Sequence, residues 1–167
     1  MGASPATTAF LKECLADALI QLLETKPLEK ITIPEIASLA GVGRTTYFRN
    51  FSSKAELLVY KIIVLWERWA EAHKVKIKRR YTTDNALTFF EFNYSIRSLH
   101  LLLYRRNLQS ALFATFYSYM MPQEGAEPMD SYKSSFYSYG LFGLLDQWIM
   151  RGFAETPEQM AKLGTML

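Results

Sequence analysis

Apolar residues recur along most of this 167-residue chain at three- and four-residue steps, the period of a helix with one buried face. From Thr7 to Thr25, Leu11, Leu15, Ala18, Leu19 and Leu22 line one side, while Lys12, Glu13, Asp17 and Glu24 fall elsewhere. Lys26-Pro27 closes that helix. Thr32-Ile33-Pro34-Glu35 has the form of a capping box, and the helix it opens runs to Ala40. Gly41 follows where a helix stops in a left-handed residue. Two or three residues later a second short helix runs from Arg44 to Phe51. Ser53-Lys54-Ala55-Glu56 is another capping box, opening a long helix through Leu57, Leu58, Ile62, Leu65, Trp66 and Trp69 to about Lys78.

The second half continues in the same period. Asp84 to Arg106 reads as helix with a break near Ser98, and Leu108 to Met121 as another helix ended by Pro122. A loop covers 123–128, and Ser131 to Arg151 is a helix closed by Gly152. Thr156-Pro157-Glu158-Gln159, a third capping box, opens the last helix. No sustained period-two pattern interrupts this, so the fold predicted is all-α: an N-terminal helix-turn-helix unit over 7–53 and a helical unit over 54–167.

Composition narrows the class. Half the residues are apolar and 21% are charged, which supplies a core and excludes general disorder. The longest uncharged run, Asn107 to Gln123, carries too many polar residues to span a membrane. The N-terminus lacks a secretory pattern and Cys14 stands alone, so a cytoplasmic protein with no disulfide framework and no thiolate metal cage is expected. The net charge is only +3, but residues 55–80 hold seven Lys/Arg against three Asp/Glu, which permits an anionic partner near the N-terminal half.

The segment from Thr32 to Leu58 carries the chemistry. Helix, tight turn at Gly41, short helix and following helix are what a helix-turn-helix needs, since its second helix must stand clear of the body to enter the major groove. Val42 would plug the turn from below. Phe48 and Phe51, three apart, are assigned inward, and Arg44, Thr45, Thr46, Arg49 and Asn50 outward. Arg reads guanine O6 and N7 bidentately, Thr touches a thymine methyl, and Asn reads adenine or holds a phosphate. Ser53 and Lys54 combine free backbone amides with a cation, a phosphate clamp by geometry, and Thr32 offers a similar helix start.

These residues also resemble a family. The run Ile31-Thr32-Ile33-Pro34-Glu35-Ile36-Ala37-Ser38-Leu39-Ala40-Gly41-Val42-Gly43, continued by Phe48-Arg49-Asn50-Phe51 and by Lys54 and Leu57, is similar to the DNA-binding signature of TetR-type transcriptional regulators. Two departures stand out. Gly43 occupies the place of the usual Ser N-cap. Phe48 occupies that of the usual Tyr, with Tyr47 one position earlier, so a phosphate contact by that hydroxyl is either lost or taken over by Tyr47. The resemblance implies a homodimeric regulator, usually a repressor, that binds a pseudo-palindromic double-stranded operator and answers to a small-molecule effector. Its DNA contacts would fall on Thr32, Arg44, Thr45, Thr46, Tyr47, Phe48, Arg49, Asn50 and Lys54. Residues 140–153 resemble the family's penultimate helix, which places Gly140, Gly143, Leu144, Gln147, Trp148 and Arg151 at the dimer interface.

Residues 81–167 hold 17 of the 24 aromatics. The resemblance places Trp66, Trp69, Phe92, Phe113, Phe116, Tyr117, Phe136 and Tyr137 on the helices that the family packs around its effector pocket, and as a group they would suit a largely apolar ligand. The basic run Lys74 to Arg80, whose Lys78 lies roughly 36 Å along the helix from Lys54, reads as a solvated helix end. His73 and His100 are isolated, and no nucleophile elbow or phosphate-cradling loop appears, so neither catalysis, metal nor cofactor is expected. A helical adaptor that acts through a protein partner without reading DNA is the alternative.

Overall fold

The computed structural model describes residues 5–76, 85–120 and 127–166. Among these there are nine α-helices and no strand: α1 (Pro5–Thr25), α2 (Ile33–Ala40), α3 (Arg44–Asn50), α4 (Lys54–Ala72), α5 (Ala86–Ser95), α6 (Arg97–Arg105), α7 (Gln109–Met120), α8 (Pro128–Met150) and α9 (Pro157–Met166). A single 3-10 turn, Leu28–Lys30, links α1 to α2.

The helix ends follow from local chemistry. Thr32 and Glu35 form the reciprocal capping box of α2, and α9 begins with the same exchange between Thr156 and Gln159. At α4 only half the box is made as expected. Ser53 Oγ accepts from the Glu56 amide at 3.3 Å, but the Glu56 carboxylate reaches back to the Ser52 amide instead. Helix α4 stops at Ala72, earlier than its apolar period predicts. Lys74 takes a left-handed φ of 54°, and the Val75 amide donates to the Ala70 carbonyl at 2.8 Å, closing the end in a Schellman motif. His73 folds back to stack on Trp69, their ring centroids 4.0 Å apart. Of the basic run, residues 77–80 lie outside the described residues. The break predicted near Ser98 falls at Ile96, between α5 and α6. There the Ser95 hydroxyl donates to the Phe92 carbonyl at 2.6 Å and competes with helix continuation.

One apolar core runs through the molecule. Leu15, Leu19, Leu23, Ile31, Ile36, Leu57 and Leu58 fill its N-terminal part, and Leu103, Leu112, Leu145 and Trp148 continue it. Polar links fasten α1 to the helices behind it. Lys61 on α4 pairs with Glu13 at 3.0 Å and Asp17 at 2.6 Å, and Arg68 grips both Glu13 oxygens at 2.5 Å. The Lys12 ammonium sits 4.4 Å from the centre of the Tyr60 ring. Just past the end of α6, Arg106 donates to the carbonyls of Leu23 at 2.5 Å and Glu24 at 2.7 Å, the end of α1. Tyr104, on α6, donates to Asp146 on α8 at 2.5 Å.

Burial pushes the Glu13 carboxyl up, but the hydrogen bonds and charges of Lys61 and Arg68 outweigh it and hold the group below the ordinary carboxylate value of 4.5. His100 is fully buried with Nε2 3.0 Å from Asn93 Oδ1, and burial pushes its imidazole down to about 3. The two groups act in different pH windows. Both pKa values are lower in the folded state, so each group destabilises the fold as pH falls below its unfolded value. Stability is expected to decline first below pH 6.5 through His100, and further below 4.5 through Glu13. Glu13→Gln is expected to cost about 1–2 kcal/mol at pH 7. In thermal melts the gap between variant and wild type should close toward pH 3; a gap independent of pH would deny Glu13 this role.

Candidate nucleic-acid interface

Helix α3 has seven residues and is placed entirely by its neighbours. Gly41 adopts φ 64°, the left-handed turn that a side chain would strain, and the Val42 amide donates to the Ala37 carbonyl at 2.9 Å. Val42 is buried beneath the turn, as predicted. Tyr47 and Phe51 face inward, their rings 6.0 Å apart, and Phe51 meets Tyr60 of α4 edge-on at 5.7 Å.

This corrects the division of faces drawn above. Tyr47, not Phe48, takes the inward position: Tyr47 is 3% exposed and Phe48 69%. Both choices pair helically with Phe51, one at four residues and one at three, so spacing alone did not separate them. Burial, with the nearby Glu56 charge, raises the Tyr47 phenol above its ordinary value.

The outward face brings together Arg44, Thr45, Phe48 and Arg49, all exposed. Thr46 and Asn50 are half-buried, and Asn50 Nδ2 donates to the Thr46 carbonyl at 2.7 Å, which leaves its Oδ1 as the free end. Thr32 is engaged at once as acceptor and donor. Its hydroxyl accepts from the Glu35 amide and donates to Glu35 Oε2 at 2.9 Å, so a phosphate there would compete with Glu35. Hydrogen bonds from Lys26 and Thr32 hold the Glu35 carboxyl down at about 2.

Lys54 does work the sequence did not signal. Its ammonium donates to the carbonyls of Leu28 at 2.5 Å and Ile31 at 2.7 Å, pinning the turn before α2 to the start of α4. Two of its three donors are spent inside the fold, and one remains for an anion.

The predicted dimer residues divide as well. Gly140, Gly143 and Gln147 lie on an exposed face of α8, continuous with the exposed Met129, Tyr132, Phe136 and Met150, and the exposed Arg151 follows at its end. Leu144 is half-buried against the core. Trp148 is 1% exposed and belongs inside: it packs on Phe90, Tyr94 and Phe153, and its Nε1 donates to the Glu155 carbonyl at 3.1 Å. Among the expected pocket residues, Trp66 and Trp69 stack at 6.0 Å and Phe92 stands edge-on to both. The Trp66 Nε1 is buried without a hydrogen-bond partner. Phe113 touches Tyr117, Tyr139 and Phe142. Phe136 and Tyr137 are exposed, which removes them from an interior lining, and the side chain of Phe116 lies outside the described residues. An open depression of about 600 Å³ sits elsewhere, between Leu22 of α1 and Pro34, Glu35, Ser38 and Leu39 of α2.

A short helix held clear of an all-helical body by a glycine turn defines a helix-turn-helix regulator. Comparison with family models agrees with that class. Residues 15–60 match the model described as bacterial regulatory proteins, tetR family, and residues 84–167 match a transcriptional regulator C-terminal region of the same group. The chain belongs to the TetR family of transcriptional regulators. No curated protein matches it. Among the described residues no helix is long and apolar enough to cross a membrane.

Two outcomes are expected here. At Gly43 an added Cβ would come no closer than 3.7 Å to Thr45 Oγ1, so Gly43→Ser fits and supplies the missing cap of α3. It should stabilise the fold by a few tenths of a kcal/mol, or roughly 0.5, in urea unfolding. Lys54→Met should destabilise it by about 1–2 kcal/mol through the two abandoned carbonyls. An unchanged urea midpoint would show that Lys54 has no structural part.

Proposed function

We propose that the protein is a homodimeric repressor that binds a pseudo-palindromic operator and is released by a small, largely apolar effector. In this reading residues 7–53 form the DNA-binding unit and 54–167 the effector and dimerisation unit. The observation that carries it is the outward face of α3, where Arg44, Thr45 and Arg49 stand exposed while Tyr47 and Phe51 bind the helix to the body. Two such helices, one per protomer, would enter successive major grooves on one side of the duplex. The exposed apolar face of α8 with its two glycines supports pairing with a second copy, since Gly140 and Gly143 let two helices approach closely. The Trp66, Trp69 and Phe92 cluster, with its unpaired indole donor, supports an apolar ligand bearing one acceptor. The protein would act in the cytoplasm and catalyse nothing.

Selection of genomic fragments by the purified protein, followed by footprinting across a salt series, tests this reading. A protected inverted repeat with affinity falling steeply in salt is expected. Weak, sequence-blind binding would overturn it in favour of an adaptor acting through a protein partner. On the selected operator Arg44→Ala should cost about 1–3 kcal/mol and relax preference at one base position. Equal losses on operator and random DNA would deny Arg44 a base contact.

A further inference from the structure

Phe48 is the most exposed large apolar side chain on the N-terminal helices, at 69%. A lone exposed phenylalanine is ordinary on a protein surface, but this one sits one helical turn beyond Arg44 and Thr45 and next to Arg49, all facing solvent. Its ring stands edge-on to the buried Tyr47 ring, 5.3 Å between centroids and 88° between planes, so one side is braced and the other is bare. Solvating a phenyl ring is unfavourable, and nothing in the folding of α3 requires it at this position. A phenyl ring has no donor or acceptor, so it can neither hold a phosphate nor pair with the polar edge of a base. In the major groove one base offers an apolar group, the C5 methyl of thymine.

We infer that Phe48 reads a thymine methyl in each half-site, making it a specificity-determining residue alongside the polar contacts of Arg44 and Arg49. This rests on the operator-binding reading given above. The two arginines bring the helix to the phosphates and guanines, and the ring between them removes a methyl from water only where thymine stands at the matching step. A purine or cytosine there leaves the ring against a polar edge, and affinity falls.

The experiment uses the full chain. An operator is selected from synthetic random DNA, which contains no 5-methylcytosine, so that thymine is the sole source of the methyl. Each thymine of the operator is then replaced by deoxyuridine, which deletes the methyl and keeps every hydrogen-bonding group. Wild type should lose about fourfold in affinity at one position of each half-site, and about fifteenfold when both are replaced. Phe48→Ala should bind the thymine operator as weakly as wild type binds the doubly replaced one, and should lose all response to deoxyuridine. Phe48→Leu, which keeps an apolar group, should retain part of that response. Thermal melts check that both variants fold. A wild-type protein indifferent to deoxyuridine at every position would overturn the inference alone, as would a Phe48→Ala variant that keeps the full penalty. Failure to select any operator would overturn the operator-binding reading, and this inference with it.

Discussion

A seven-residue helix does not hold itself together in water, because nucleating it costs more than its few hydrogen bonds return. Everything about the N-terminal unit answers that constraint. Helix α3 is anchored by two aromatic side chains one turn apart, Tyr47 and Phe51, and by the turn at Gly41 with Val42 beneath it. Burying each ring is worth roughly 1.5–3 kcal/mol, more than any cap on so short a helix can supply. With stability delegated to the inward face, the outward positions are released from any duty in folding. Arg44, Thr45, Phe48 and Arg49 can be selected for what they touch.

The unit that holds α3 is itself tied to the rest of the chain through α1. Exposed ion pairs are generally weak, but Glu13 is mostly buried, is gripped on both oxygens by Arg68 and also receives Lys61. At the other end α1 has no basic residue in its last turn, so the cation that suits its C-terminal dipole comes from Arg106, the residue that caps α6. Tyr104, two residues earlier, carries the connection on to Asp146 of α8. Helix α6 therefore bridges the first helix and the one whose exposed apolar face is proposed to meet a second copy.

Much of this was legible in the sequence. The capping boxes at Thr32 and Thr156, the turn at Gly41 and the helical periods are local signals, and local physics wrote them. Most of what escaped depends on distant partners, and the end of α4 is the local exception. The end of α4 was overrun because Val75 and Ile77 keep an apolar rhythm, whereas the Lys74 left-handed turn and the His73–Trp69 stack stop the helix first. Trp148 lies on the same helix as Gly140 and Gln147, and its inward placement is decided by Phe90 and Phe153, one of them nearly sixty residues away in sequence. Lys54 had the spacing of a phosphate ligand, but the carbonyls it satisfies belong to a 3-10 turn, which no periodicity announces, and to the residue that ends it.

The same energies limit how an effector could switch such a protein. Changing the shape of the N-terminal unit itself would withdraw Tyr47 and Phe51 from the core, about 3–6 kcal/mol for the two rings. Turning α1 to α4 together as one body keeps the Lys61, Arg68 and Lys54 links intact and crosses a seam that includes the two Arg106 hydrogen bonds, which water can replace at about 0.5–1.5 kcal/mol each. The apolar contacts along that seam can slide and be remade rather than lost. A ligand supplies only its difference in affinity between two states, so the low-cost motion is the one it can drive. Under the dimeric reading, release from DNA then comes from altered spacing between two intact recognition helices, and each α3 keeps its base-reading face throughout.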